Sequence, residues 1–186
     1  MTDDIYLDAN ATTQVLPVAA AAALRVMEQN FGNPSSTHYR GLQARELMSD
    51  VRGQAQRLLG SGEGRMVFVS GATEAIQTAV LPALCDIRER LQRGESVGSL
   101  LVVGATEHKA VPESIIHWNR VLGLNLDLRA LPVDDHGQHD LSALAGMVND
   151  AALVCTMAAN NETGAISDLD GIARVLHGGT SAPLRL

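Results

Sequence analysis

Leu100-Leu101-Val102-Val103-Gly104-Ala105-Thr106-Glu107-His108-Lys109-Ala110 passes from four apolar residues to a polar loop within a few positions. The run 100–103 is too short and too uniformly apolar for an amphipathic helix, and reads as a strand buried on both faces. From His108 to Leu122 the pattern is helical. The same grammar recurs along the chain. A buried strand is expected at 66–69, followed by a long helix over 72–93. An alternating strand at 126–133 precedes a short helix at 140–148, and a strand at 153–157 precedes a helix at 168–176. Two earlier helices are expected at 17–30, with Pro17 in the first turn, and at 43–59. The turn-forming stretch 31–38 separates them as a loop. Pro82 lies inside the 72–93 helix and predicts a kink or break there. Strands alternating with helices imply an α/β layer fold with a mostly parallel sheet. Ligands of such sheets sit at the carboxyl ends of the strands.

Bulk properties narrow the function. The 186 residues suffice for one real hydrophobic core, and 46% hydrophobic with 19% charged residues is ordinary for a globular protein. Aromatics make up 3%, so Ala, Leu and Val must fill most of the interior. A formal charge of −7 argues against bulk nucleic-acid binding, which needs a basic surface to displace counterions. The most apolar stretch, 15–24, is too short to span a bilayer and carries Pro17. The N-terminus Met-Thr-Asp-Asp is acidic where a signal peptide would be basic. Cys85 and Cys155 fit no disulfide framework or metal-ligand spacing. These features predict a cytoplasmic protein, with no membrane and no nucleic-acid partner. Of the 14 basic side chains, 13 are Arg; Lys109 is the only lysine.

Three loops after expected strands carry unusual polar residues. In Ser70-Gly71-Ala72-Thr73-Glu74, a helix N-terminus offers free N–H groups and a positive dipole end suited to phosphate, and Thr73 adds a hydroxyl. The same residues also read as an ordinary helix cap. In Thr106-Glu107-His108-Lys109, the imidazole suits stacking on a flat ring or moving protons near neutral pH, and equally suits capping. In Ala158-Ala159-Asn160-Asn161-Glu162-Thr163-Gly164, two amides beside a carboxylate are costly to bury without partners. They read either as hydrogen-bonding groups for a ligand or as an Asx-turn closing at Gly164. Gly60-Ser61-Gly62-Glu63-Gly64 only imitates a dinucleotide loop, because it follows a helix and precedes the expected strand.

Taken with Tyr6-Leu7-Asp8-Ala9-Asn10-Ala11-Thr12-Thr13 and Phe31-Gly32-Asn33-Pro34-Ser35-Ser36-Thr37-His38, these loops resemble, in order and spacing, the cysteine desulfurases of the class V aminotransferase group. The first of these segments resembles the family's opening strand and turn. The resemblance runs from about residue 5 to about 175. It implies a three-layer α/β fold with a mostly parallel sheet of the large-domain type found in pyridoxal 5′-phosphate enzymes, present here incompletely. Residues 1–14 would form an arm or strand contributing to the active site, and 15–186 a partial cofactor-binding large domain. Ala72 and Thr73 would hold the cofactor phosphate. His108 would stack on the pyridine ring and assist proton transfer, which makes it the candidate catalytic residue. Asn161 would hydrogen-bond the ring's 3-oxygen.

The activity implied is removal of sulfur from L-cysteine, leaving L-alanine and an enzyme-bound persulfide, in a homodimer that passes sulfur to an acceptor protein. Iron–sulfur cluster assembly, tRNA thiolation and DNA sulfur modification are all open as destinations. The family's pyridine-binding aspartate, Schiff-base lysine and nucleophilic cysteine have no counterpart in these residues. Lys109 adjoins His108 and is poorly placed to replace the lysine, while Cys85 and Cys155 read as small core residues. The chain alone is therefore expected to be inactive. Its incomplete sheet predicts poor solubility or self-association. The alternatives are a non-catalytic remnant that binds the cofactor or pairs with a full-length subunit, and a selenocysteine lyase or other class V enzyme.

Overall fold

An apolar run can be buried only when its backbone N–H and C=O groups are paired. In the computed structural model, which describes residues 5–179 and 183–186, four segments achieve this side by side. They are β1 (Leu100–Gly104), β2 (Asp127–Leu131), β3 (Ala151–Cys155) and β4 (Leu184–Arg185), in the order β2-β1-β3-β4 and all parallel. The parallel α/β reading of the sequence holds.

The chain divides into two compact units, Met1–Phe68 and Val69–Leu186. The sheet belongs to the second, with α3 (Ala72–Gln92), α4 (Ala110–Val121), α5 (Leu141–Met147) and α6 (Leu169–Gly178). Side-chain alternation along β1 sends Leu101 and Val103 to one face and Leu100 and Val102 to the other. The first pair packs with Val80, Leu84 and Ile87 of α3 and Ile115 of α4. The second packs with Leu144 of α5 and Ile172 and Leu176 of α6. Helices thus cover both faces of the sheet, giving three layers. In β3 both Ala152 and Leu153 face the α3/α4 side. A register shift between Leu100 and Leu101 absorbs the extra residue, as a bulge does. β2 is an edge strand whose first four residues are exposed, and Asp127 and Arg129 keep that edge polar.

Pro82 neither breaks nor ends α3, which runs unbroken to Gln92. Proline inside a helix costs about 3 kcal/mol. Burying Val80, Leu84 and Ile87 around it returns about 1.5–3 kcal/mol each, so packing outweighs the lost backbone bond. Asn119 clamps the turn from α4 towards β2 by donating to the Leu126 carbonyl (2.8 Å) and accepting from the Leu126 N–H (3.2 Å). β3 starts two residues earlier than the apolar run suggests and ends at Cys155. The pairing that defines it is to β1, and Met157 N–H leaves the ladder for a side chain described below. In the tail, Leu184 and Arg185 form β4 beside β3.

The first unit has two helices, α1 (Pro17–Gln29) and α2 (Tyr39–Leu59). α2 begins four residues before the expected position because His38 caps it, its Nδ1 accepting from Gly41 N–H at 3.4 Å. Gly41 lies so close to the 31–38 loop that a methyl group there would meet the Ser36 and Asn33 carbonyl oxygens at 2.5 and 2.7 Å. Arg45 donates to the Pro34 carbonyl at 2.7 Å and holds the same loop. Gly60 ends α2 in the left-handed region, at φ 62°, so the Gly60–Gly64 stretch is a helix-terminating turn.

Two expected strands are absent. Residues 6–13 form a turn in which Ala11 N–H reaches the Asp8 carbonyl, with Tyr6 Oη 2.9 and 2.7 Å from the Asp8 and Thr12 carbonyl oxygens. Residues 66–69 are likewise not a strand, and Val67 and Phe68 are about half exposed. They are not part of the four-stranded sheet, and an apolar run that pairs with no strand has no ladder to join.

Candidate functional site

Three loops were expected to matter, and the second unit brings two of them together. The loops that follow β1 and β3 wall a polar cleft of about 570 Å³, lined by Thr106, Glu107, His108, Lys109, Asn160, Asn161, Glu162 and Thr163. It opens at the carboxyl ends of the two central parallel strands, where the chain must leave the sheet and its polar backbone is free to meet a ligand.

His108 sits just ahead of α4, with Nδ1 accepting from Ala110 N–H at 3.2 Å. This is a local side-chain bond ahead of the helix rather than a cap, since Lys109 is the N-cap and carries no side-chain cap bond. With Nδ1 committed as an acceptor, the neutral ring carries its proton on Nε2.

The two asparagines divide the work that the sequence left undecided. Asn160 makes the Asx-turn: its Oδ1 accepts from Glu162 N–H (2.9 Å) and Thr163 N–H (2.8 Å). Its Nδ2 donates to the Thr106 carbonyl at 3.0 Å, tying the β3 loop to the β1 loop. Gly164, at φ 73°, closes the turn. Asn161 is the exposed member and lines the cleft.

Ala72 and Thr73 open α3 and are not among the residues lining the cleft. The first-turn N–H groups of a helix have no internal acceptor, and here Gly71 provides no side-chain cap. Glu74 Oε2 accepts from both the N–H and the hydroxyl of Ser70, each at 2.6 Å, which holds its carboxyl below the usual range, the hydroxyl bond most of all. One turn further along, Ala75 and Ile76 line an apolar cavity of about 280 Å³ together with Val111, Cys155 and Leu186. Glu107 lines both this cavity and the polar cleft, and so stands in the wall between them.

Glu107 is the site residue that sequence reasoning missed. Its Oε1 accepts from Met157 N–H, a second tie between the loops. Burial pushes its carboxyl up, against the opposing pull of that N–H. The signal available in the sequence was a lone carboxylate four residues after a fully apolar strand. Cys155, on the neighbouring strand, is buried and its thiol is pushed up to about 12, first by burial and then by the Glu107 charge. It is a core residue, as its apolar surroundings suggested. Among the described residues no cluster of three or more His, Cys, Asp or Glu is placed to hold a metal ion, and no helix is long and apolar enough to cross a membrane.

A parallel α/β unit with a polar cleft at the carboxyl ends of its central strands has the architecture in which open α/β sheets seat their ligands. Residues 5–182 match the family model described as aminotransferase class-V, and the chain belongs to that family. It is 36% identical over 175 residues to a cysteine desulfurase of Cereibacter sphaeroides, covering 93% of this chain and 43% of that protein. It is 34% identical over 174 residues to the cysteine desulfurase NifS of Azotobacter vinelandii, covering 92% and 40%. A solved NifS-like protein superposes with a TM-score of 0.84 at 28% identity, over 97% of this chain and 47% of that one. The chain thus spans about two fifths of the length of the curated relatives it matches.

Proposed function

We propose that this chain forms the cofactor-holding part of a cysteine desulfurase, an enzyme that takes sulfur from L-cysteine with pyridoxal 5′-phosphate. The observation that carries the reading is the convergence of His108 and Asn161, distant in sequence, on one polar cleft at the strand ends. The names of the relatives supply the chemistry. The residues present fit the cofactor. The first turn of α3 offers uncapped N–H groups and the Thr73 hydroxyl for a phosphate. The cleft offers one imidazole and one exposed amide for a flat, polar ring.

In this reading Ala72 and Thr73 bind the phosphate, His108 lies against the ring, and Asn161 orients it through the 3-oxygen. When bound, the cofactor supplies an electron sink for bond cleavage in an amino-acid substrate. His108 keeps Nδ1 as the acceptor of Ala110 N–H and so works through Nε2–H, the nitrogen able to donate a proton. Asn160 and Glu107 keep the two loops together, so that His108 and Asn161 hold their spacing. The sulfur nucleophile is not one of this chain's own thiols. Cys155 is buried with its thiolate strongly disfavoured, and Cys85, half-buried along α3, is not among the residues lining the cleft. The homodimer, the sulfur-acceptor protein and the contribution of residues 1–14 to the active site as an arm or strand belong to the same proposal.

Equilibrium dialysis against pyridoxal 5′-phosphate tests it. Saturable binding is expected, weakened about tenfold or more in Thr73→Val and in Asn161→Ala, since each removes a hydrogen bond to a charged or polar ligand atom. Absence of saturable binding, or full affinity in both variants, overturns the reading.

A further inference from the structure

His139 lies just before α5 and is joined by an isolated bridge to Val133. It is 7% exposed, and neither ring nitrogen has a hydrogen-bond partner in the protein. A buried imidazole in that state calls for a partner. Gly104, at the end of β1, shows where one is. A methyl group on Gly104 would lie 2.7 Å from His139 Nε2 and 3.2 Å from Glu107 Oε1. The imidazole and the carboxylate therefore converge on the same point above β1, and only a residue without Cβ leaves room for them.

We propose that the His139 imidazole and the Glu107 carboxylate interact above Gly104, and that His139 is thereby a positioning residue for the polar cleft. Glu107 Oε1 accepts from Met157 N–H and is the same oxygen that approaches the Gly104 position shared with His139 Nε2. A carboxylate oxygen held by both groups fixes the β3 loop against the β1 loop, which Asn160 ties a second time through the Thr106 carbonyl. The link lies behind the cleft, on the sheet side of Glu107, and does not depend on what the cleft binds. Burial alone pushes the imidazole down, and burial pushes the carboxyl up. Other titratable groups near the pair are the Cys155 thiol from β3, His108 and Lys109 on the β1 loop, and Asp140 beside His139, whose Oδ1 accepts from Ser142 and Ala143 N–H at the start of α5. Asp134 and His136 lie on the preceding turn, where Asp134 Oδ1 accepts from the His136 and Gln138 N–H groups.

Two independent measurements on the full chain, made without cofactor, test the link. The first is the His139 ring titration by nitrogen NMR in the wild type and in Glu107→Gln. The midpoint is expected to fall by about one unit when the carboxylate is removed, the size of a lost nearby opposite charge; an unchanged midpoint overturns the link. The second is amide exchange at Met157. His139→Leu is expected to speed it about tenfold while Leu101 in β1 keeps its protection, and His139→Gln, which retains a donor near the place of Nε2, is expected to restore it. Met157 exchange that stays unchanged, or that rises only in step with Leu101, overturns the positioning role even if Glu107→Gln does not fold. Failure of cofactor binding in the preceding test leaves both readouts intact, so the two ideas fail separately.

Discussion

The two units of the chain hold their elements in different ways. α1 buries none of its 13 residues, and α2 buries only Gly41 and Ala44. In the second unit, by contrast, β1 and β3 bury every residue between helices on both faces. A helix satisfies its own backbone hydrogen bonds and can persist with both faces wet, supported by caps such as His38 and Gly60. A strand has no such independence. The run 66–69 is as apolar as 100–103, yet only the second has a ladder on each side and becomes a strand. Local capping and close loop contacts support the first unit, while non-local burial supports the second.

The largest effect that sharpens this contrast is expected at the centre of the sheet. Leu153→Ala empties a site with no exposure and should cost about 2–5 kcal/mol in denaturant unfolding. Leu24→Ala in α1, where the side chain is 56% exposed, should cost less than about 0.5 kcal/mol. Equal losses would break the comparison. A smaller effect is expected at the one tight point of the first unit. Gly41→Ala drives a methyl group into the Asn33 and Ser36 carbonyls and should cost about 1–3 kcal/mol, read as a lower melting temperature. No loss would mean that the 31–38 loop is not packed on α2.

The smallest effect is a pH slope confined to the second unit. The His139 imidazole is held down by burial, so the unfolded chain takes up its proton more readily. Stability linked to this residue is lost as pH falls below about 6.5. The Glu107 carboxyl is pushed up from 4.5, so the unfolded chain ionises first, and stability linked to it is lost as pH rises above that value. The two slopes oppose each other in the window between. Unfolding measured across that window should show stability rising with pH in Glu107→Gln and falling with pH in His139→Leu. Parallel slopes in the two variants would contradict this assignment.

Much of the site was legible because its parts are local. Thr106 to Lys109 and Asn160 to Gly164 each announce a polar turn after an apolar strand, and strand ends are where such turns gather, whereas the apolar run before Ser70 to Glu74 forms no strand. Even so, only the resemblance singled out Asn161 from the sequence, whereas in three dimensions Asn160 shapes the turn and Asn161 is the exposed one of the two asparagines lining the cleft. Glu107 and His139 escaped notice because a lone carboxylate after an apolar strand and a lone histidine before a helix are weak local signals. Their importance comes from converging above Gly104, a proximity that joins segments far apart in the chain.

By itself the sequence determined the alternation of helices and buried strands, the parallel α/β class and the polar turns, since periodicity and turn chemistry act over a few residues. Tertiary structure decided which apolar runs became strands, why α3 runs through Pro82, and where β3 begins. Those outcomes depend on a neighbouring edge to pair with and a face to bury against, and both come from residues distant in the chain.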